Sequence, residues 1–293
     1  MKPLGEYAKA LWRCVVLFMA GVALQLIFGE IHAGGNVWVC LALLLAFPFL
    51  LYLLKERWKF ARSISGAESR IVTVCVLVIL LLFFGLIPQN GSGRGILGAL
   101  GFHDMKTSWV FALLLIYFTV LIGIQAITDL KIRKLSAMPI FHWSIFAILV
   151  AGICGVGARK TAYIQINEGE TLNTAIDAEG NSLQLPFSIK LEDFQMEEYD
   201  GTHQPKEFLS KIQITSGKAS KQASVRVNHP ARFASWKIYQ SGYDVSKGKD
   251  SEYSVLNVVR DPMWPVTQIG LWGLLIGCIF MFIDKAARKE AKA

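Results

Sequence analysis

One histidine, His142, lies within a long apolar stretch, in the run Pro139-Ile-Phe-His-Trp-Ser. An ionisable side chain inside a membrane span is costly and is commonly functional. Neutral imidazole is a good ligand of haem iron, and aromatic rings such as those of Phe141 and Trp143 suit a porphyrin face. The pattern makes His142 a candidate haem axial ligand, with Phe141 and Trp143 as candidate porphyrin contacts. The alternative is a histidine near the membrane interface that hydrogen-bonds a neighbour or water.

The other residues that bear chemistry are not arranged as a catalytic or metal site. Further histidines lie outside the apolar stretches, at His32, His103, His203 and His229. No pair among them has metal-ligand spacing, and His229, followed by Pro230, is typical of a turn. The five cysteines are scattered without a CxxC pair, so neither a zinc site nor a redox pair is predicted. We expect no catalytic residues in this chain.

Segment 93–98 matches GxGxxG, the pattern of a dinucleotide-binding turn. That turn needs a preceding strand and a following helix, whereas here the pattern follows a predicted membrane helix. We therefore interpret it as a flexible loop. The sequence contains no GxSxG, HExxH or Walker A pattern, so hydrolase and ATP-driven functions are not predicted.

Composition indicates which elements position His142. Of the 293 residues, 53% are hydrophobic and 18% are charged, and the mean hydropathy is +0.42. Soluble globular chains carry about 25% charged residues. Apolar runs long enough to cross about 30 Å of hydrocarbon cover residues 14–28, 37–54, 71–87, 109–127, 138–156 and 266–283. The first run is short, so we expect it to extend past Arg13, whose long side chain can reach the interface.

Basic residues between the six runs predict the orientation. Fifteen Lys and Arg residues precede the first run or follow the second, fourth and sixth, whereas the short loops on the other side carry two, Arg94 and Lys106. Because Lys and Arg accumulate on the cytoplasmic side, both termini are predicted to be cytoplasmic. The net charge of +8 is then a topology signal, and no nucleic-acid partner is expected.

Residues 157–263, between the fifth and sixth runs, alternate as strands do. The alternating stretches are 163–166, 187–191, 211–214, 224–227, 236–239 and 254–259, with turn signals at Gly180 and Gly217. About seven strands are expected. The predicted fold is therefore a polytopic α-helical membrane protein with six transmembrane helices. An extracytoplasmic antiparallel β-sandwich or barrel-like domain lies between helices five and six.

The domain boundaries follow from these elements. Residues 1–70 form an N-terminal two-helix extension with a basic cytoplasmic loop, and residues 71–156 form a three-helix membrane core. Residues 157–263 form the β domain. Residues 264–293 form a C-terminal transmembrane helix with a cytoplasmic tail.

In this order the features resemble the ResB family, also called CcsB, of cytochrome c maturation system II. The resemblance covers about residues 71–284. Besides His142 it rests on the motifs Phe84-Gly-Leu-Ile-Pro-Gln-Asn90, Ser108-Trp-Val-Phe111, Asn167-Glu-Gly-Glu170, Leu185-Pro-Phe187, Leu191-Glu-Asp-Phe194, Pro205-Lys-Glu-Phe-Leu-Ser210, Val227-Asn-His-Pro230, Tyr239-Gln240 and Asp261-Pro262. The first two helices have no counterpart in the usual span pattern of the family.

The resemblance implies a haem-handling subunit of a cytochrome c biogenesis complex in the bacterial inner membrane. Such a subunit pairs with a CcsA-type membrane protein, assists the transfer of reduced haem b across the membrane and presents it to apocytochrome c. A transmembrane histidine is an axial haem ligand in the family, and His142 matches that position. The tryptophan-rich segment and external histidine pair of the CcsA-type partner are not found in this sequence. We therefore expect an accessory part of a haem-attachment (synthetase) complex that has no activity alone.

Two other functions fit the same spans. A scaffold would stabilise a CcsA-type partner without contacting haem. A secondary transporter would carry another solute, but the six spans show no obvious inverted repeat and no paired Gly- or Pro-broken helices.

Overall fold

The computed structural model describes residues 4–31, 36–89, 95–131, 136–199 and 205–290. The chain divides into a helical unit, Met1–Ala158 with Met263–Ala293, and a β unit, Arg159–Pro262. His142 lies in the helical unit.

Six helices of the described residues are long and apolar enough to cross a membrane, which confirms the six predicted spans. They are α1 (Leu4–Phe28), α2 (Val37–Leu54), α4 (Ala67–Leu86), α6 (Trp109–Asp129), α7 (Ala137–Ala158) and α8 (Trp264–Glu290). Two short helices that were not predicted, α3 (Lys59–Ile64) and α5 (Ile96–Ala99), lie between them. The guanidinium of Arg13 in α1 donates to the hydroxyls of Ser69 at 2.9 Å and Ser63 at 2.5 Å.

Helix α6 is the central helix of its unit. Half of its spanning window is buried, against 11–28% in the other five spans, and it packs against α1, α2, α4 and α7. Glycines allow this close packing. A Cβ on Gly21 of α1 would lie 2.6 Å from the Cα of Val110, and one on Gly123 of α6 would lie 2.8 Å from the ring of Phe146.

Helix α7 presents one face to α8 and an adjoining face to α6. On the first face Phe141, Ser144 and Ile148 lie against Gly277, Gly273 and Gly270 of α8, in that order. Residues three and four apart share a helix face, so His142 shares the second face with Phe146, which packs on Gly123 of α6. This face is directed toward the central helix.

The β unit is one antiparallel sheet of eight strands within the described residues. The strands are β1 (Lys160–Asn167), β2 (Thr171–Ile176), β3 (Ser182–Glu198), β4 (Pro205–Ser216), β5 (Ala219–Arg226), β6 (Ala231–Phe233), β7 (Trp236–Tyr243) and β8 (Tyr253–Arg260). Their order in the sheet is β5-β4-β3-β2-β1-β8-β7-β6. Strands that are neighbours in the sheet are also consecutive in the chain, except for β1 and β8. These two strands pair in continuous register from Lys160↔Arg260 to Asn167↔Tyr253.

The sheet curls into a near-barrel because its two edge strands are consecutive in the chain. A tight turn joins β5 to β6, in which the amide of Arg226 donates to the carbonyl of His229 at 3.2 Å and the reverse bond is 3.0 Å. Asn228 adopts a φ of 64°, a left-handed conformation that asparagine tolerates. The barrel-like alternative is therefore the one that forms, and His229 is a turn residue as expected. The fully buried side chains of the interior include Ile166, Ile189, Leu191, Ile212, Ile214 and Leu256.

The GxGxxG segment is described from Gly95 onward, and residues 93 and 94 lie outside the described part of the chain. Gly95 has a φ of 88°, and α5 follows it with bonds from Ala99 N to Gly95 O (3.1 Å) and from Leu100 N to Ile96 O (3.0 Å). The predicted loop therefore contains one helical turn. The element before it is the apolar helix α4, so this segment is not the turn of a strand–helix nucleotide site.

Candidate functional site

His142 lies in the second turn of α7, beside the last residue of α6. Its Nδ1 is 2.6 Å from Oδ2 of that residue, Asp129. Both side chains are largely buried, with 14% of His142 and 7% of Asp129 exposed. The contact therefore fixes the imidazole against the end of the central helix.

Asp129 is itself held by neighbouring polar groups. Gln125, one turn earlier in α6, donates Nε2 to Oδ1 of Asp129 at 2.6 Å. Arg70 of α4 acts electrostatically on Asp129 while its Nη1 donates to the carbonyl of Ser65 at 3.0 Å. Both carboxylate oxygens accept a hydrogen bond, so the buried carboxylate is satisfied and its orientation is fixed.

The chemistry of this pair follows from which atom donates. An ionised carboxylate only accepts hydrogen bonds, so Nδ1 of His142 donates to Asp129. In neutral imidazole this leaves the lone pair on Nε2, and Nε2 has no hydrogen-bond partner within the described part of the chain. Metal-ligating histidines almost always donate their other N–H to a carboxylate, a carbonyl or water, which orients the ring and raises its basicity. The donor set fits an axial ligand of haem iron.

The two aromatic residues that flank His142 are placed differently. The ring of Phe141 adjoins the imidazole, with 6.1 Å between centroids and an interplanar angle of 74°. Trp143 is 36% exposed, and its ring packs edge-on to Phe146 at 5.9 Å. The structure therefore brings Phe141 to the imidazole, whereas Trp143 lies toward the surface of the bundle.

The other predicted chemistry-bearing residues stay apart. His103 is 3.1 Å through Nδ1 from the carbonyl of Pro88, in the connection before α6. His229 belongs to the β5–β6 turn, and His32 and His203 lie outside the described residues. Across the ranges that the structure describes, no three His, Cys, Asp or Glu side chains are grouped to hold a metal ion.

Two contacts in the spans were not anticipated as pairs. Gln125 bonds within its own helix, α6, to Asp129. Cys40 of α2 and Cys154 of α7 have their Sγ atoms 3.5 Å apart, although all five cysteines are free thiols. The cysteines are 114 positions apart, so no spacing rule could reveal the contact.

Sequence reasoning missed Asp129 as the partner of His142. The signal was present, because a carboxylate ends the fourth span and a histidine follows the start of the fifth after a short connection. Both must lie at the same end of the bundle if each span crosses once.

Several motif residues of the β unit turn out to stabilise the sheet. The carboxylate of Glu168 accepts from the amide of Phe194 at 2.7 Å, which joins two of the motifs. Ser210 donates to Oε1 of Gln240 at 2.6 Å, and Ser254 lies 2.9 Å from Ser210 in the same buried network. These positions are explained by satisfied buried polar groups.

Comparison with known proteins finds a similarity to the family that the sequence motifs resemble. Residues 134–252 match the family model described as "ResB-like family", which confirms the resemblance. The matched segment includes His142 and most of the β unit.

Two similar proteins carry informative names. A protein named cytochrome c biogenesis protein CcsB, from Prochlorococcus marinus strain MIT 9301, is 29% identical over 140 residues, which is 47% of this chain and 31% of that protein. Protein NrfI of Wolinella succinogenes is 27% identical over 108 residues, which is 36% of this chain and 12% of that protein. This chain therefore matches less than a third of the length of these relatives.

Among solved structures, cytochrome c haem lyase CcmF aligns over 83% of this chain and 44% of its own length. The TM-score is 0.37 and the identity is 13%. The alignment is too weak to support an argument about this chain.

Proposed function

We propose that this chain, which is ResB-like over residues 134–252, is a haem-handling subunit of a cytochrome c biogenesis complex. In this proposal it assists the transfer of reduced haem b across the bacterial inner membrane and its presentation to apocytochrome c. It acts together with a CcsA-type membrane protein and has no attachment activity alone. Haem is the cargo, and His142 ligates its iron.

The observation that carries the proposal is the 2.6 Å contact between His142 Nδ1 and Asp129 Oδ2. It orients the ring and leaves Nε2 as the atom able to bind iron. Phe141 supplies an adjoining aromatic face. The names of the matched relatives, which include a cytochrome c biogenesis protein, support the same assignment.

The orientation is part of the proposal. The loops that carry the fifteen basic residues are assigned to the cytoplasm, together with both termini. We infer that the β unit, whose sequence lies between α7 and α8, is extracytoplasmic, because five crossings would precede it from a cytoplasmic N-terminus. In this orientation His142 lies near the cytoplasmic end of α7, where haem made inside the cell would enter.

The test is haem absorbance of the full chain co-purified with a CcsA-type partner. Substitution His142→Ala is expected to remove or shift the haem absorbance, and added imidazole is expected to restore it, because a free imidazole can occupy the vacated position on the iron. The matched control is His103→Ala, which removes an imidazole from a loop of the same unit.

An unchanged haem spectrum in His142→Ala would overturn the ligand assignment. The scaffold alternative makes the opposite prediction in cells, since His142→Gly would then leave cytochrome c maturation intact. Loss of maturation that exogenous imidazole restores distinguishes haem handling from scaffolding, because imidazole replaces only a ligand.

A further inference from the structure

An apolar cavity of about 490 Å³ lies between α1, α2, α3 and α6. Its wall includes Val16, Phe47, Leu51, Ile116 and Val120, contributed by three of these helices. Val16 is 48% exposed and Phe47 is 51% exposed, so the cavity opens on the outer surface of the bundle. In a membrane this surface faces lipid acyl chains.

One end of this cavity is charged. Trp12, Arg13 and Phe60 line both the apolar cavity and an adjoining one of about 480 Å³, which also touches Lys9 and Ser63. The combined site therefore has an apolar trough and a polar mouth, the arrangement of an amphipathic ligand.

The charges of the mouth favour an anion. Arg13 directs its hydrogen bonds to two serine hydroxyls, which leave its positive charge in place. Glu6 is the carboxylate at this mouth, and it is engaged by Lys9 at 2.7 Å and by the hydroxyl of Ser63 at 3.3 Å. Two cations and one carboxylate give the mouth a net positive charge.

The lining argues against haem as the occupant. Of the usual ligands of haem iron, the described residues around the trough include no histidine, methionine or cysteine, and the hydroxyl of the one tyrosine, Tyr117, is buried and does not face the trough. A phospholipid needs no such ligand. Basic pockets between transmembrane helices bind anionic lipid headgroups.

We propose that α1, α2, α3 and α6 form a binding site for one anionic phospholipid, with an acyl chain in the trough and the phosphate at Arg13. An acyl chain gains little by leaving hydrocarbon for an apolar wall, so the headgroup contacts with Arg13 and Lys9 set the selectivity. The site gives a role to the first two helices, and it does not depend on the proposed function.

The test is lipid retention by the purified full chain, measured by native mass spectrometry after detergent exchange. The chain is delipidated and offered phosphatidylglycerol or phosphatidylcholine. We expect about a tenfold preference for phosphatidylglycerol. Arg13→Gln is expected to abolish the preference. The control Arg57→Gln removes the same charge from an exposed position outside the lining, in the loop between α2 and α3, and is expected to retain the preference.

A second variant tests the trough without touching the charge. Val16→Trp fills the cavity and is expected to reduce phosphatidylglycerol retention about tenfold, whereas Val15→Trp, at a neighbouring exposed position outside the lining, leaves it unchanged. Equal retention of the two lipids by the unsubstituted chain overturns the proposal. Equal loss of lipid retention in each variant and its control also overturns the proposal. Haem binding that is removed by Val16→Trp but not by Val15→Trp overturns it as well.

Discussion

Substitution Asp129→Asn tests whether the buried carboxylate positions His142. Asparagine has nearly the same shape and can still accept from Nδ1 through its carbonyl, but it removes the charge. A hydrogen bond to a charged group contributes about 1.5–3 kcal/mol and a neutral one about 0.5–1.5 kcal/mol. The difference is about 1–1.5 kcal/mol, which corresponds to roughly five- to tenfold weaker haem binding.

The structure gives a reason for a larger effect. One oxygen of Asp129 accepts from His142 and the other from Gln125, both at 2.6 Å. An asparagine presents an N–H₂ group to one of these two partners, so either the Gln125 amide rotates to accept it or the imidazole takes the other tautomer, which puts the proton on Nε2. Loss of an outer-shell partner of a metal-ligating histidine typically lowers metal affinity about 10–100-fold.

The assay is a haem titration of the full chain, followed by absorbance, with the dissociation constant measured for each variant. The control is Glu30→Gln, which removes an exposed carboxylate two residues after the end of α1. It should bind haem as the unsubstituted chain does. The double variant Asp129→Asn/His142→Ala should bind no more weakly than His142→Ala alone, because Asp129 acts through the imidazole. Unchanged affinity in a folded Asp129→Asn protein, or additive losses in the double variant, would refute the reasoning.

Two further substitutions test the packing of the two units, one in each. Gly270→Val should weaken the α7–α8 contact by about 1–3 kcal/mol, because a Cβ at this position lies 2.6 Å from Ile148. Thermal unfolding of the full chain in detergent measures the effect, and the control Gly152→Val, at a position with open space around it, should leave the melting temperature nearly unchanged. Ile214→Ala should destabilise the sheet by about 2–5 kcal/mol, because Ile214 is fully buried. Amide hydrogen exchange of residues 205–226 should therefore accelerate. In the control Ile176→Ala, which changes a residue that is 57% exposed, exchange of the same residues should remain slow.

The sequence was sufficient for features that depend on local pattern. The spans follow from runs of uncharged apolar residues, and most strands follow from alternation at period two. Strand β6 was not predicted because three residues are too few for a pattern. Strand β2 was not predicted because its apolar residues, Leu172, Ala175 and Ile176, do not alternate with polar ones. The pairing of β1 with β8, which joins the strands into one sheet, could not be deduced, because the two strands lie at opposite ends of the β unit's sequence.

The candidate site was half predictable. His142 could be found because an ionisable residue in an apolar run is conspicuous. Asp129 sits at a helix end, where acidic residues are common, so its burial and its contact with His142 appear only when α6 and α7 are packed. The lipid-binding trough was not predictable either, because its wall combines residues from four separate helices.

The pairing of β1 with β8 constrains the order in which the β unit can be completed during synthesis. Strand β1 is the first strand to be made, and its partner ends 93 residues after β1 ends, from Asn167 to Arg260. At about 5–20 residues per second, that interval lasts roughly 5–20 s. During it one edge of β1 stays open to other chains. Synthesis and folding of this segment therefore overlap for several seconds, the period in which protection by a chaperone would matter most.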